Sequence, residues 1–359
     1  MFVQNKKNWD TLVIGAGQAG LAAGYYLQSL QADFVILDAS DRIGDSWRSR
    51  WDSLTLFTPN WANALPGYAF PGASHSHPGK DEVADYLMAY AGKFSLPVLP
   101  QTKVTGLTKT REGYEITSRR GVFYCKNVVL ANGSYARPKL PVFAGDIDPG
   151  IRQLHSSAYR RPSDLPEGDV LVVGAGTSGI QIAIDVARDG RTTYLAGHPP
   201  VKIPDLLLRF FGKSFVWAMN NIMTINTPIG RKAEFAIKTG GKAAPLINTS
   251  IEQAKKAGVE HVPRLRSIEN GYPVLENGVV MTVPTIIWCT GFSCDLSWID
   301  IRGLTDIHGY PIANKGVSEI HKGLYFIGMP FQYALTSSWI NGVGRDAAYI
   351  AGHIHSRLG

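Results

Sequence analysis

The sequence predicts an α/β fold of two Rossmann-like dinucleotide-binding domains, the second inserted into the first. Three observations carry this. Two glycine fingerprints, Gly15-Ala16-Gly17-Gln18-Ala19-Gly20 and Gly174-Ala175-Gly176-Thr177-Ser178-Gly179, stand 159 residues apart in a chain of 359. Each follows a short apolar run (Thr11 to Ile14, then Val170 to Val173), and each precedes a stretch that reads as a helix. A late apolar strand, Leu324-Tyr325-Phe326-Ile327-Gly328, reads as a return to the first domain. A glycine turn between strand and helix lets backbone approach a pyrophosphate, and the helix N-terminus adds N–H donors and the positive end of its dipole. Two such turns suit the passage of electrons between two dinucleotides.

The first β-α-β unit spans residues 9–38, with its helix over Leu21 to Leu30 and its second strand at Phe34-Val35-Ile36-Leu37. Asp38 ends that strand, 18 residues beyond Gly20, where the fold places an acid on the adenosine ribose. Residues 39–65 form a loop rich in Trp, Arg and Ser, including Trp47, Arg48, Phe57 and Thr58. Its composition suits the wall of a flavin ring and equally a surface loop. An amphipathic helix is expected over 80–96, then an antiparallel meander near 103–108, 114–117 and 122–131. The second unit runs from Asp169 to Ala196, with its helix over Ile180 to Arg188. No acid follows its second strand; His198 stands there instead. Residues 278–291 read as a further strand, and Ser337 to His355 as the last helix. The expected domains are 1–153 with 285–359, and 154–284 with a helical insertion at about 200–250.

Composition bounds the function. The chain is 45% hydrophobic and 18% charged, enough for one or two well-buried domains. Its net charge is +7, which attracts anionic cofactors or an acidic membrane surface. The basic residues are scattered, which argues against nucleic acid as a partner. Cys125, Cys289 and Cys294 form no CxxC and no metal-ligand spacing, so neither a metal nor a disulfide framework is expected, and a cytoplasmic location fits. No apolar run reaches the ~18 residues of a membrane-spanning helix. Lys6 and Lys7 lead straight into a strand, unlike a secretory signal. The segment 204–226 is strongly apolar with Arg209 and Lys213 interspersed. It reads as a segment buried on its own domain or lining a substrate entrance, or as a peripheral membrane contact.

Five features make the chain resemble the flavin-containing monooxygenases, or class B flavoprotein monooxygenases, in a short bacterial form. They are the two fingerprints, Ala131-Asn132-Gly133-Ser134-Tyr135-Ala136-Arg137-Pro138-Lys139-Leu140-Pro141, Leu154-His155-Ser156-Ser157-Ala158-Tyr159-Arg160, Cys289-Thr290-Gly291-Phe292, and Gly323 to Gly328. The second is similar to the family's A-T-G-x-x-x-x-P-x-x-P motif with Asn132 for Thr. The fourth is similar to its A-T-G-[FY] motif with Cys289 for Ala. The signature F-x-G-x-x-x-H-x-x-x-[FYW] fits in its second half only, at His155 and Tyr159. Phe57 stands where the family carries an active-site Asn, and a phenylalanine ring cannot hydrogen-bond oxygen.

The resemblance implies FAD on the first fingerprint and NADP or NAD on the second. It implies oxygen transfer from molecular oxygen, by way of a C4a-(hydro)peroxyflavin, to the sulfide sulfur or amine nitrogen of a small apolar substrate, with a weak Baeyer–Villiger capacity. The expected FAD and coenzyme contacts are Gly15, Gly17, Gln18, Ala19, Gly20, Asp38, Trp47, Arg48, Thr58, Gly174, Gly176, Thr177, Ser178, Gly179, His198, Thr290, Gly291 and Gln332. Phe57, His155 and Tyr159 are the expected catalytic residues, with His155 coupling the domains. With neither acid nor arginine after the second unit, both NADH and NADPH are expected to serve. A disulfide reductase would need a redox cysteine pair beside the flavin, and the loop after Asp38 has none. An NAD(P)H oxidase releasing peroxide and an FAD-binding redox sensor stay open as alternatives. A homodimer is compatible with the chain.

Overall fold

The two fingerprints sit at the ends of strands buried on both faces, as short Val/Ile/Leu runs in parallel sheets require. A computed structural model describes residues 6–239 and 245–358. Its first sheet has a parallel core, in the order Val98–Leu99, Phe34–Leu37, Asn8–Ile14, Gly121–Leu130, Leu324–Phe326. Ile14 stands opposite both Leu37 and Leu130, so the strands end level where the first glycine turn begins. The first half of Gly121–Leu130 pairs antiparallel with Tyr114–Ser118, and that strand with Val104–Lys109, giving the expected meander. Helix Gln18–Ser29 covers one face and packs on the final helix, Val343–Leu358.

The second sheet is wholly parallel, in the order Glu260–Val262, Thr193–Ala196, Val170–Val173, Thr285–Trp288, Arg152–His155. Helix Thr177–Arg188 packs on it, burying Ile180, Ile182, Ala183 and Val186 on one face. The expected boundaries at 153/154 and 284/285 therefore cut through this sheet. Arg152–His155 is its edge, and Thr285–Trp288 lies inside it. A short apolar run does not say which of two sheets it joins.

Two further expectations change. The strand expected over 278–291 is confined to Thr285–Trp288, and a hairpin of Leu265–Glu269 with Tyr272–Leu275 precedes it. Its turn is Asn270-Gly271, both at positive φ, the pair that a tight hairpin favours. The last helix begins at Val343, not Ser337. Ser337 instead accepts the backbone N–H groups of Tyr333 and Ala334 at 3.0 Å each, which holds residues 333–337 in a turn. The expected insertion is helical: Asp205–Asn221 and Pro228–Lys238, the latter started by Thr227, whose hydroxyl accepts the Gly230 N–H, and by Pro228 in its first turn.

The three glycines of each fingerprint divide the work in the same way. Gly15 and Gly174 turn at φ +108° and +114°, and a Cβ there would meet the Ala131 carbonyl oxygen at 2.6 Å or that of Cys289 at 2.5 Å. A Cβ on Gly20 or Gly179 would overlap the carbonyl oxygen of Gly15 or Gly174. Gly17 and Gly176 face open space. Gly20→Ala should therefore destabilise the fold itself, by about 1–3 kcal/mol as an overpacked site, or roughly 2–10 °C in melting temperature. Gly17→Ala should melt like the wild type yet purify with less bound flavin. Thermal melts of both variants with flavin removed test this, and an equal loss in both would refute the division.

Candidate functional site: two pyrophosphate cradles and a histidine at the hinge

Each cradle combines the open middle glycine with an uncapped helix. Gly17 and Gly176 are the N-caps of the two twelve-residue fingerprint helices, and neither helix has a side-chain cap. The first N–H groups, including those of Ala19 and of Ser178 and Gly179, thus lack an intrahelical partner and face the space a side chain would fill. This fits a dinucleotide pyrophosphate at both turns. Gln18 donates weakly to the Ser338 carbonyl at 3.5 Å, tying the first helix to the last loop. Thr177 opens the second helix. Asp38 is drawn into its turn: it accepts the Ala16 N–H at 2.6 Å and the Ser40 N–H at 2.8 Å. Its carboxylate thereby fixes the loop shape at the place where a ribose would lie.

The aromatic loop is held from several sides. Trp47 and Arg48 lie on the short helix Asp45–Arg48, and Trp47 packs against the core. Arg48 is already engaged. It pairs with Asp85 at 2.7 Å and Asp45 at 3.1 Å and donates to the Ile43 carbonyl, so it clamps the loop to helix Lys80–Lys93. Thr58 is buried and donates to Asn63 Oδ1 at 2.6 Å, and Asn63 returns a bond to the Thr58 carbonyl. Phe57 meets Trp339 edge to face, with centroids 5.1 Å apart. The loop does contain buried asparagines, Asn60 and Asn63, three and six residues beyond Phe57. Asn60 binds the carbonyls of Pro71 and Ala73, while its own Oδ1 finds no partner among the described residues.

His155 lies where the second sheet runs into the hinge. It ends the edge strand of the second sheet, and its Nε2 meets the Gly291 carbonyl at 3.0 Å. A carbonyl only accepts, so Nε2 carries the proton and Nδ1 accepts from Ser157, from its Oγ at 3.0 Å and its N–H at 3.2 Å. The same Gly291 carbonyl accepts the Lys139 N–H at 2.9 Å, and Thr290 donates to the Lys139 carbonyl. The hinge strands 137–138 and 292–293 pair there, antiparallel. Tyr159, expected among the catalytic residues, is instead buried in the second domain, where its hydroxyl donates to Asp185 at 2.7 Å. Burial and that carboxylate raise its pKa, and it acts as a packing residue.

Arg50 carried no signal in the sequence beyond its neighbours. Its guanidinium lies 5.4 Å over the Phe292 ring, which also meets His155 edge on at 4.7 Å. It has no carboxylate partner among the described residues, and burial lowers its pKa. A cation thus stands beside the hinge.

The remaining expected contacts spread out. His198 is exposed and meets Glu276 at 3.0 Å. Glu276 comes from the turn after Tyr272–Leu275, 78 residues further along the chain. Arg191 binds Asp189 and the carbonyls of Leu165 and Pro166. Gln332 is buried beside a cavity of about 240 Å³ that Tyr310, Glu319, Lys238 and Met329 also line. Its Nε2 has no partner among the described residues. Nearby in sequence, Asp346 lies buried in the first turn of the last helix, its pKa pushed up to about 7 by burial.

A family model described as pyridine nucleotide-disulphide oxidoreductase matches residues 12–202. The chain is 41% identical to the oxidoreductase CzcO-like of Geobacillus kaustophilus, over 96% of this chain and 98% of that one. It is 24% identical to the probable indole-3-pyruvate monooxygenase YUCCA8 of Arabidopsis thaliana, over 96% and 88%. Among solved structures, a flavin-containing monooxygenase from Stenotrophomonas maltophilia superposes with a TM-score of 0.80 at 25% identity, covering 98% of this chain and all of that one.

The hinge makes an acid-side prediction. Burial holds the His155 imidazole below its ordinary pKa; the Gly291 bond opposes this and the Arg50 charge adds to it. The unfolded chain therefore takes up the proton first as pH falls below about 6.5. The stability that His155 contributes is complete above that value and is lost as pH falls toward the folded value. His155→Gln keeps an N–H donor and should show a shallower loss between neutral and mildly acidic pH. Urea melts across that range check it, and identical slopes would sink the assignment.

Proposed function

We propose that this chain, which belongs to the pyridine nucleotide-disulphide oxidoreductase family, is an FAD-dependent, NAD(P)H-consuming monooxygenase that passes one oxygen atom to a sulfide sulfur or amine nitrogen. The observation that carries the reading is the repeated cradle, an open glycine over an uncapped helix, present twice. In this reading Gly15, Gly17, Gly20 and Asp38 hold FAD, and Gly174, Gly176, Ser178 and Gly179 hold the nicotinamide coenzyme. FAD, when bound, supplies the redox and oxygen chemistry. The chain's own residues bind and orient the dinucleotides, and the Phe57–Trp339 pair helps keep water out.

Thiol chemistry has little support. The three cysteines are free, and burial pushes the Cys289 thiol up to about 12, far from a thiolate at neutral pH. Monooxygenase relatives and neighbours support the reading, as does the pairing of Arg137–Pro138 with Phe292–Ser293 at the hinge. The test counts NADPH consumed, oxygenated product and hydrogen peroxide in one reaction, over a panel of sulfides and tertiary amines. Product close to the NADPH consumed supports oxygen transfer. Peroxide alone across the panel overturns it in favour of an oxidase, a reading that Phe57, with no hydrogen-bonding group, favours.

Coenzyme use follows from the far end of the second cradle. Arg191 is engaged elsewhere, and His198 is paired with Glu276, so no guanidinium fork waits for a 2′-phosphate. NADH and NADPH should differ in kcat/KM by less than about tenfold, or ~1.4 kcal/mol. A preference beyond roughly a hundredfold for either coenzyme, ~2.7 kcal/mol, would overturn this.

A further inference from the structure

The helical insertion has two unlike sides. Its inner side is built into the protein. Gly212 passes so close to Trp61 that a Cβ would lie 3.3 Å from the indole, and Asn220 accepts from Thr336 and, through its carbonyl, from Arg345 at 2.5 Å. Thr336 in turn accepts the Trp339 N–H. The helix Asp205–Asn221 therefore roofs the Phe57–Trp339 region.

The outer side is apolar and basic. Leu206 and Phe210 stand one turn apart before a kink at Phe211, Lys213 and Trp217 one turn apart after it, and Leu206, Phe210 and Trp217 are 69%, 68% and 61% exposed. The helix Pro228–Lys238 repeats the pattern with Ile229 and Phe235, 63% and 69% exposed, around Lys232. Leu207, Phe211 and Ile222 widen the apolar surface. Residues 205–238 hold five basic and two acidic residues, and one of those acids, Glu234, is taken by Lys238. Arg209, Lys213, Arg231 and Lys232 have no acidic partner among the described residues.

A large exposed apolar patch marks an interaction surface. The charge selects the occupant. A two-fold contact with a second copy sets these unpaired cations against their own kind. An anionic bilayer accepts both parts: aromatic rings at the headgroup boundary and basic side chains on phosphates. We propose that the outer face of this helical pair docks on an anionic lipid bilayer. No helix among the described residues is long and apolar enough to cross one, so the contact lies on the surface. Docking places the roof of the candidate site against the bilayer, a source of apolar substrate; this last clause rests on the proposed function, the docking does not.

Flotation of the FAD-loaded protein with phosphatidylcholine vesicles, with and without phosphatidylglycerol, tests the proposal without reading turnover. The protein should float with the anionic vesicles and return to the bottom fraction at high salt. Phe210→Ser/Trp217→Ser and Lys213→Glu/Lys232→Glu should each reduce the floating fraction by roughly tenfold or more, with flavin spectrum and melting temperature unchanged. No flotation, equal flotation on neutral vesicles, or flotation unaffected in both double variants overturns it. A dimer seen by light scattering that the apolar double variant disperses, with no flotation, overturns it in favour of a second copy.

Discussion

Both halves of this molecule depend on a helix starting directly against the strand that precedes it. The third glycine of each fingerprint sits on the carbonyl of the first, closer than any side chain permits. That contact sets the helix angle, the helix angle aims the free N–H groups, and the middle glycine leaves the space they aim into. Sheet register follows the same constraint, since the strands flanking each turn end level with it. A cradle of this kind is rigid before any ligand arrives, which reduces the ordering cost of binding.

Two rigid cradles make an electron-transfer device only if they are held in relation to each other. Few groups do this. Gln181 of the second fingerprint helix donates to the Thr55 carbonyl in the aromatic loop, the Asp52 N–H reaches the Arg160 carbonyl, and the helical insertion bonds the last loop, through the Ile225 N–H on Tyr333, the Leu335 N–H on Met223 and the Thr336 hydroxyl on Asn220. Each such bond is worth about 1 kcal/mol net. Such a seam holds one arrangement without forbidding others, as relative motion of inserted domains requires. Arg50 and Phe292 stand at this seam, so an anionic ligand lying there would meet the cation without displacing an existing partner.

Legibility in the sequence followed locality. The glycine turns, Asp38 and the apolar strands around them could be read because strand, turn and helix lie within about thirty residues and each obeys a short-range rule. The boundary at Thr285 could not, because a buried strand looks the same whichever sheet receives it. The start of the last helix was missed because Ser337 serves a turn through side-chain bonds that compete with the helix. The partners of Arg48 and Tyr159 were out of reach for a third reason. These partners, Asp85 and Asp185, lie 37 and 26 residues away, and only the tertiary structure brings them together. The Asn270-Gly271 pair did carry a hairpin signal, set between strands too short to stand out.

The pairing of His198 with Glu276 has a consequence for how such a chain can change. The carboxylate at the far end of the second cradle comes from a surface turn, Glu276-Asn277-Gly278, and not from the β-α-β unit that holds the phosphates. The fingerprint unit tolerates little alteration, because its glycines and buried strands are fixed by close contact. The turn is exposed and free of that crowding. In the proposed reading, whatever that end recognises is mechanically separate from the scaffold that makes binding possible, so redrawing one loop would alter recognition there while the architecture stayed still.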